Sequence, residues 1–391
     1  MSLRIAQITN EPYGFDTANG VQHVAYCLVR AQADQGDAVA LFTRDDHALH
    51  LFGRGAEQPS VGRPPIDFGG SLRERLLRRY FEPALAADVL AWRPDVVHFH
   101  SIHVPQNVTL AACLDRYRIP YCVTVHGGLF PEALERRRLA KALFKQMFES
   151  RYLNRALFVH ALSPYESDII RRHGVTAPIV TIPNGLPPGT DIPPTQLPAL
   201  FTQQSHLRDR HVFMFIGRLE PRQKGLDLLV RAFALAGLPR SALVLVGPDD
   251  GGALAPLSKL ADRLGIRSDV VFTGPAFGQE RANLLAAADV FVHPSRWEGV
   301  SLSVLAAAAA GKACLVTRQA DPLGALERGQ AAFIVDATVD GIAEGLRAAK
   351  AASREDLDAI GRRARRVVEG EFSWRASAAT LAEAYRSALE R

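Results

Sequence analysis

Short apolar runs recur along the chain, and amphipathic stretches of helical length separate most of them. In the first half the runs are LRIAQIT, DAVALFT, DVVHFH, PYCVTVH, ALFVHAL and APIVTIP. In the second half they are HVFMFIG, ALVLVG, DVVFTG, DVFVHP, KACLVT and AAFIV. Near-continuous apolar strands that alternate with helices are typical of a parallel sheet covered on both faces. The pattern therefore predicts an α/β protein with two doubly wound parallel sheets.

A segment without clear periodicity separates the two halves. Residues 184–210 are rich in proline and polar side chains, which is a composition typical of a linker. The chain of 391 residues also exceeds the size at which a single hydrophobic core usually stops growing. We predict one domain over residues 1–187 and a second over 188–371. A helical pattern over 372–391 is compatible with packing on either of them.

In open parallel sheets, ligands bind at the carboxyl ends of the strands. Two such domains of similar size would leave a cleft that both sets of strand ends could face. Functional motifs are therefore expected directly after strands. The string GRLEPRQKG follows the first strand of the second half and contains Gly217, Arg218 and Lys224. Two cations beside a strand end suit a diphosphate, whereas the alternative is two basic residues that solvate a loop.

The string HPSRWEGVSLSVLAAAAAGK follows the fourth strand of the second half. A helix is expected to begin within 301–303 and to end at Gly311 as its cap. The amides of the first turn would then be unpaired and would favour an anion. Phosphates would repel Glu298 beside such a site, so we expect it to accept hydrogen bonds from sugar hydroxyls. A surface glutamate at a turn is the alternative.

Two first-half turns carry weaker signals. His126 ends the strand of PYCVTVHGG, where Gly127 and Gly128 allow a ligand to approach the backbone. The alternative is that His126 only caps or packs. If His126 lies across the cleft from the loop with Arg218 and Lys224, a role in the functional site is favoured. Asn19 and Gly20 precede the first helix, where the amides could touch phosphates or an acceptor. A plain glycine turn is nearly as plausible there.

Basic residues are clustered, and the formal net charge is +5. One cluster lies in an amphipathic helical pattern over about residues 135–155. Its apolar members are Leu139, Leu143, Phe144, Met147 and Phe148, and its basic members are Arg138, Lys141 and Lys145. Core packing with a solvated outer face is one interpretation, and peripheral docking on an anionic membrane is the other. No nucleic-acid-binding motif accompanies these clusters, so nucleic acid is not an expected partner.

The composition, 48% apolar and 22% charged, is that of an ordinary globular protein. No run of about 18 apolar residues is present, so no membrane span is expected. The N-terminal MSLRIAQITN does not have the pattern of a secretory signal. The scattered cysteines indicate buried, reduced thiols. We expect a cytoplasmic protein, at most peripheral at the inner membrane face.

Some apparent motifs predict nothing. His98 and His100 would lie on one face of a strand without a carboxylate partner, so together with His103 they are not expected to bind zinc. A P-loop string is absent from the sequence, which argues against an NTPase. We expect no metal and no cofactor.

Together, these segments resemble the GT-B fold glycosyltransferases of family 4, a large group of retaining enzymes with nucleotide-sugar donors. The resemblance covers essentially the whole chain and is densest over residues 215–311. It rests on GRLEPRQKGLDLL, VGPDDGG, VVFTGPAF and AAADVFVHPSRWEGVSLSVL, and in the first half on DVVHFHS, TVHGG, SPYESDIIRRHG and IPNGL. It implies two Rossmann-like domains around a central cleft, with helix 372–391 crossing back to the first domain. The implied donor-binding residues are Gly20, Gly217, Arg218, Lys224, Phe277, Glu298, Gly299, Val300, Ser301 and Leu302.

The same resemblance implies catalytic positions at Glu298, Arg218, Lys224 and His126, and an acceptor site at His126 and Gly127. It implies metal-independent sugar transfer with retention, to a glycan, a lipid-linked glycan or a small molecule. A role in cell-surface polysaccharide or glycoconjugate synthesis follows. A catalytically degenerate binding protein and a nucleotide-sugar epimerase are the alternative functions.

The chain departs from the family pattern at one position. The eighth residue after Glu298 is Ala306, where the family usually has a second glutamate that holds the ribose hydroxyls. Hydrogen bonds to a charged acceptor contribute about 1.5–3 kcal/mol, so its absence could weaken nucleotide binding roughly tenfold or more. Three explanations are open: another residue replaces the contact, the donor carries deoxyribose, or the protein is degenerate.

Overall fold

The computed structural model describes residues 2–10, 20–44, 48–54, 56, 66, 72–135, 138–187, 190 and 192–391. Contacts between Cα atoms divide the chain into two compact units. Of the described residues, the first unit contains those up to Gly185 together with Trp374–Arg391, and the second contains Leu186–Ser373.

A seven-stranded sheet forms the centre of the first unit. Its strands are β1 (Arg4–Thr9), β2 (Ala38–Thr43), β3 (Ala48–Phe52), β4 (Val96–His100), β5 (Tyr121–Thr124), β6 (Val159–Ala161) and β7 (Ile179–Thr181). Their order is β3-β2-β1-β4-β5-β6-β7, and every neighbouring pair is parallel except β2 and β3. The sequence pattern predicts all of these strands except β3. That strand lies at the sheet edge with all its residues only partly buried, so it lacks the apolar run of a central strand.

The helices of the first unit follow the strands. They are α1 (Gly20–Asp34), α2 (Leu72–Leu77), α3 (Pro83–Trp92), α4 (Pro105–Arg116), α5 (Pro131–Glu135), α6 (Arg138–Phe144), α7 (Ser150–Asn154) and α8 (Pro164–Arg172). The expectation of one helix over about 135–155 is wrong in detail, because a π-helical turn, Lys145–Glu149, separates α6 from α7. Phe148 and Glu149 are buried within this turn. A π turn shifts the helix face, which is how these two neighbouring residues both reach the interior.

A second, fully parallel sheet forms the centre of the second unit. Its strands are β8 (His211–Ile216), β9 (Ser241–Val246), β10 (Val270–Gly274), β11 (Val290–His293), β12 (Ala313–Thr317) and β13 (Phe333–Val335). Their order is β10-β9-β8-β11-β12-β13. The chain runs outward from β8 to one edge and returns to β11, so the connections change direction between β8 and β11. That arrangement is the doubly wound topology that the sequence predicts.

Helices cover both faces of the second sheet. They are α9 (Ala199–Gln203), α10 (Pro221–Lys224), α11 (Leu226–Ala236), α12 (Leu254–Arg263), α13 (Gly278–Ala287), α14 (Leu302–Ala309), α15 (Ala325–Arg328), α16 (Val339–Ala351) and α17 (Arg354–Glu371). Along β8, Met214 belongs to the core on one face, whereas Phe213 and Phe215 belong to the core on the other. Alternate side chains of a strand point to opposite faces, so a strand buried on both sides must be apolar throughout.

Two segments near the unit boundary contain regular structure. Part of the region expected to be a linker is ordered, because α9 places Phe201 in the core of the second unit and Leu207 follows it there. The last helix, α18 (Trp374–Leu389), lies in the first unit, where Leu381 and Tyr385 are buried in a core shared with α1. Gly185 makes this return possible, because a Cβ there would lie 2.4 Å from the backbone nitrogen of Trp374.

Candidate active site

The predicted donor-site residues of the second unit follow neighbouring strands. Gly217 and Arg218 come directly after β8, and Glu298 lies in the loop after β11. These two strands are hydrogen-bonded neighbours at the point where the connections change direction. In doubly wound sheets, the crevice outside this switch point is where ligands bind. The topology therefore brings the two motifs to one end of the sheet.

Glu298 is buried, with 6% of its surface exposed. Its Oε1 accepts hydrogen bonds from Lys224 Nζ at 2.6 Å, Ser295 Oγ at 2.7 Å and His293 Nε2 at 3.0 Å. No contact to Oε2 occurs among the residues that the structure describes. One carboxylate oxygen is thus held by the protein, and the other is available to a ligand.

The electrostatics of this cluster keep Glu298 ionised. Burial alone would raise the pKa of its carboxyl, but the charge of Lys224 and hydrogen bonds from His293 and Lys224 outweigh burial and hold the pKa well below its usual range. Burial lowers the pKa of His293, so this ring is neutral at neutral pH and Nε2 carries the proton it donates. The site therefore contains a buried carboxylate paired with one partly buried lysine.

Local backbone features place Lys224 against Glu298. The side chain of Glu220 accepts hydrogen bonds from the backbone N–H groups of Arg222 and Gln223, which caps the short helix α10. Gly225 follows with φ of +64°, and a Cβ there would lie 2.1 Å from the carbonyl oxygen of Pro294. A residue with a side chain would therefore separate the two loops, so Gly225 is required for their close approach.

Arg218 lies apart from the Lys224–Glu298 pair and forms an ion pair with Asp250, in the loop after β9. The side chains of Arg218 and Asp250 are 41% and 36% exposed, respectively. Gly217 donates its N–H to Val246 O at 2.9 Å. A Cβ at Gly247 would lie 1.7 Å from the carbonyl oxygen of Gly217, so position 247 has no room for a side chain. The backbone that carries Arg218 is thereby fixed while its guanidinium faces solvent.

The helix after Glu298 begins where the sequence predicts. Ser301 caps α14 and accepts a hydrogen bond from Val304 N at 3.4 Å. Within the described residues, the amides of Val300 and Leu302 donate to no protein acceptor. Gly311 follows the helix with φ of +71°, as expected for the end of a helix. Unpaired amides and the positive end of the helix dipole favour an anion at this position.

Three predicted donor-site positions, Gly299, Phe277 and Gly20, make no contact that assigns them a role. Gly299 lies in the loop before α14, and Phe277 occupies the position before the first residue of α13. Gly20 is the first residue of α1, and its neighbour Asn19 lies outside the described residues. Ala306, where the chain departs from the family pattern, is buried in α14, with 3% of its surface exposed. The roles of Gly299, Phe277 and Gly20 stay predictions.

His126 and Gly127 lie in the turn after β5, in the first unit. His126 has φ of +52°, and its Nε2 lies 2.9 Å from Nδ1 of His100. Gly127 has φ of +73° and donates its N–H to the buried carboxylate of Glu166 at 2.5 Å. A left-handed conformation at a residue with a side chain costs about 1–3 kcal/mol, and such strain is concentrated at functional sites.

His98 and His100 lie on one face of β4, as predicted, with ring centroids 4.9 Å apart. Their ring nitrogens are all engaged within the first unit, those of His98 by Tyr385 and Thr124 and those of His100 by His126 and Gln7. They form a hydrogen-bonded network. His103 instead lies near the buried Glu149 and 3.2 Å from the carbonyl oxygen of Gly128.

Sequence reasoning missed His293, Ser295 and Asp250, which contact Glu298 or Arg218. Two of them belong to the string HPSRWEG, in which His293 is the last residue of β11 and Ser295 lies in the loop after it. Polar residues at the last position of a buried strand were a usable signal, because a buried polar side chain needs a partner. Asp250 carried no comparable signal.

Comparison with known proteins agrees with this architecture. Residues 18–189 match the family described as Glycosyltransferase Family 4, and residues 210–350 match Glycosyl transferases group 1. The fold is also that of a sucrose-phosphate synthase from Thermosynechococcus elongatus, with a TM-score of 0.72, 20% identity and 98% of both chains covered. A structure of Anabaena HepE in complex with UDP and glucose gives a TM-score of 0.69 at 18% identity, with 98% of this chain and 100% of that chain covered. The two doubly wound sheets together with these structural matches identify the fold as GT-B.

Curated relatives lead to the same family. A GDP-mannose-dependent alpha-(1-6)-phosphatidylinositol monomannoside mannosyltransferase of Mycolicibacterium smegmatis is 33% identical over 51% of this chain and 54% of its own length. A D-inositol 3-phosphate glycosyltransferase of Segniliparus rotundus is 26% identical over 76% of this chain and 67% of its own length. The chain spans about half the length of the first curated relatives that it matches. It belongs to the GT-B, group 1 glycosyltransferases of family 4.

Proposed function

We propose that the chain transfers a sugar from a nucleotide-diphosphate donor to a hydroxyl group of a glycan, a glycolipid or a small-molecule acceptor. The observation that carries the proposal is the buried, ionised Glu298, with one oxygen bound by Lys224 and the other open. A buried carboxylate next to an anion-binding helix start suits a ligand that has both phosphates and hydroxyls. A sugar nucleotide has both.

The donor would be held at the end of the second sheet. Arg218 and Lys224 would contact the diphosphate together with the amides of Val300 and Leu302, because all of these groups offer positive charge or N–H donors. Glu298 Oε2 would accept a hydrogen bond from a sugar hydroxyl. The segment around Phe277 would contact the base, as in the family that this chain resembles.

The transfer would proceed with retention of the anomeric configuration. The bond from the anomeric carbon to the diphosphate oxygen breaks, and the acceptor oxygen bonds to that carbon on the same face. The acceptor proton passes to the departing phosphate oxygen. Negative charge grows on the leaving group, and Arg218, Lys224 and the helix amides are placed to stabilise it. These groups supply the stabilisation that a metal ion would otherwise give, so the proposed reaction needs no metal.

The acceptor would bind to the first unit near His126 and Gly127. A cavity of about 560 Å³ lies beyond the ends of β1, β2 and β4. Its polar lining comes from Asn10, Arg44, Glu82, His103 and Gln106. Because Arg44 pairs with Glu82 at 2.7 Å, the cavity offers hydrogen-bond donors and acceptors without a large net charge. Hydroxyl-rich acceptors of polysaccharide or glycoconjugate synthesis fit such a lining.

We also propose peripheral contact with an anionic membrane through α6 and the π-helical turn after it. Leu139, Leu143 and Met147 follow one another at helical spacing and are 82%, 56% and 40% exposed, respectively. Lysines at 141 and 145 accompany them, and basic residues beside exposed apolar ones favour anionic lipid. No helix that the structure describes is both long and apolar enough to cross a membrane.

Liposome sedimentation tests this contact. The double variant Leu139→Ser with Leu143→Ser is expected to lose binding to phosphatidylglycerol vesicles. Leu235→Ser, at an exposed position of α11, is the control and should leave binding unchanged. Equal binding to phosphatidylcholine and phosphatidylglycerol vesicles would contradict the proposal.

The transferase activity is tested with a panel of UDP-, GDP-, ADP- and dTDP-sugars by measuring nucleotide release and the sugar product. We expect release from one donor class, and a loss of roughly a hundredfold or more with Glu298→Gln or Arg218→Ala. Arg318→Ala, at an exposed arginine paired with Glu327, is the matched control. Binding without turnover would favour a degenerate binding protein, and an epimerised sugar nucleotide would favour an epimerase.

A further inference from the structure

A line of hydrogen bonds runs from helix α1 through β1 and β4 to the turn that carries His126. Gln7 Nε2 donates to Gln32 Oε1 at 2.9 Å, and Gln7 Oε1 lies 2.8 Å from Nε2 of His100. His100 Nδ1 lies 2.9 Å from Nε2 of His126. Gln7, Gln32 and His100 are buried. The position of each proton along this line therefore depends on its protein neighbours and not on water.

Donors and acceptors follow one another in a fixed order along this line. That order determines which nitrogen of His100 and which nitrogen of His126 donates in the hydrogen bonds of the line. Because the amide nitrogen of Gln7 donates to Gln32, its oxygen faces His100 and can only accept. His100 therefore carries its proton on Nε2, and its Nδ1 is an acceptor. His126 must then donate from Nε2, so its own Nδ1 carries no proton as long as the ring is neutral.

Both rings are neutral under this arrangement. Burial, together with the neighbouring histidines, holds the pKa of His100 and the pKa of His126 well below the usual value. A second proton on His100 would lie on Nδ1 and face the N–H of His126. A second proton on His126 would lie on Nδ1, which no described residue contacts, and it is opposed by burial and by the neighbouring histidines. Neutral imidazoles with alternating donors and acceptors satisfy the hydrogen bonds that join Gln7, His100 and His126.

We propose that Gln7 and His100 are positioning residues that hold His126 in the neutral Nε2–H tautomer, so that Nδ1 is a hydrogen-bond acceptor for a ligand hydroxyl. No contact to Nδ1 occurs among the described residues. The turn at His126, with φ of +52°, is held by the same hydrogen bond. This inference rests on the proposed function in that the hydroxyl belongs to the sugar or the acceptor.

The chemistry of transfer gives a reason for this tautomer. A neutral acceptor can hold a hydroxyl group without bringing positive charge close to the oxocarbenium-like centre of the transition state. An imidazolium, or an Nδ1–H tautomer, would instead donate to a ligand oxygen, which a carbonyl or a phosphate could supply as well as a hydroxyl group.

Nuclear magnetic resonance of the whole protein with ¹⁵N-labelled histidine tests the proton positions directly. Single variants, His126→Gln and His100→Gln, assign the two rings. In the native protein at neutral pH we expect Nε2 of both rings to be protonated and Nδ1 to be unprotonated. The opposite tautomer, in which Gln7 presents its amide nitrogen to His100, overturns the inference, and so does an imidazolium signal from His126.

The ligand step is tested on the same sample. Addition of the sugar nucleotide that gives the largest thermal shift in the donor panel should move the Nδ1 resonance of His126 in the direction of hydrogen-bond acceptance. The matching nucleoside diphosphate alone should leave it unmoved. An Nδ1 signal that responds to neither probe overturns this part. Absence of transfer from every donor would instead remove the proposed function while leaving the measured tautomer valid.

Kinetics separate positioning from simple structural damage. Gln7→Met removes the acceptor for His100 and is expected to lower kcat roughly tenfold, while the dissociation constant of the nucleoside diphosphate stays unchanged. Gln7→Glu keeps an acceptor oxygen for His100 and should recover part of the rate. Equal losses in both variants, or unchanged kcat in Gln7→Met, would count against positioning.

Discussion

Lys224 Nζ lies 2.6 Å from Glu298 Oε1, and this contact joins two loops that are 74 residues apart in the sequence. Both groups are largely buried. A buried charge pair is not in itself strong evidence for stability, because desolvation offsets most of the attraction. Its significance here is positional, since it holds the loop after β8 against the loop after β11 and keeps one carboxylate oxygen open.

The pH dependence of stability should reveal this carboxylate. The pKa of Glu298 is depressed in the folded protein. The ionised carboxylate therefore adds to the free energy of unfolding above the ordinary glutamate pKa of 4.5, and this contribution is lost as the pH falls through the acid range. Glu298→Gln leaves Lys224 without its buried partner and should lower the free energy of unfolding by about 3 kcal/mol at pH 7.

Urea unfolding at pH 7, 5, 4 and 3.5 measures the difference in free energy of unfolding between the native protein and Glu298→Gln. This difference should be constant at the two higher pH values and should become smaller at the two lower ones. Glu327→Gln, which removes an exposed partner of Arg318, is the control and should show a small difference throughout. A difference in free energy of unfolding for Glu298→Gln that increases towards acid pH would contradict the depressed pKa.

In the proposed donor complex, Asp250 would compete with the diphosphate for Arg218, with which it forms an ion pair. A phosphate bound at the guanidinium would lie next to the Asp250 carboxylate, and two like charges about 5 Å apart repel each other noticeably even near solvent. Asp250→Asn should therefore bind the nucleoside diphosphate roughly fivefold more tightly in isothermal titration calorimetry, less so at high salt. Asp262→Asn, at an exposed position in α12, is the control. Weaker binding by Asp250→Asn would mean that Asp250 orients Arg218 for its ligand.

The strands were predictable because their sequences are apolar on both faces. The doubly wound order also follows from alternating strands and helices, which is why GRLEPRQKG and HPSRWEG could be placed at strand ends from the sequence alone. The edge strand β3 could not be predicted, since its partly buried residues, Ala48–Phe52, need no continuous apolar run.

The partners within the site were less predictable than its position. That Lys224 donates to Glu298 depends on which strands become neighbours and on how closely two loops approach. The approach is decided at Gly225, where a single missing Cβ allows contact with Pro294. Periodicity does not contain such information. The same holds for α6, where amphipathicity predicted an apolar side but not that Leu139 and Leu143 would be exposed.

Gly225 is expected to be intolerant of any side chain. Gly225→Ala adds a Cβ that would lie 2.1 Å from Pro294 O, in addition to the cost of φ at +64°. Gly237→Ala is the matched control, because Gly237 has φ of +60° and no atom within 4 Å of the added Cβ. The control should lose about 1–2 kcal/mol from the left-handed conformation alone. Gly225→Ala should lose clearly more in urea unfolding, and equal losses would show that the loops can separate freely.

Ala306 offers a direct test of how the chain departs from its family. It is 3% exposed, so Ala306→Glu places a carboxylate where water does not reach. Without a ligand, we expect the free energy of unfolding to fall by about 2 kcal/mol or more, because a buried charge lacks compensation. Ala310→Glu, at an exposed position just after α14, is the control and should change stability little. Unchanged stability of Ala306→Glu, combined with tighter binding of UDP than of 2′-deoxy-UDP, would instead mean that a side chain at 306 reaches the ribose. In that case the alanine itself, and not the surrounding fold, is the reason why the family's usual contact with the ribose hydroxyls is missing.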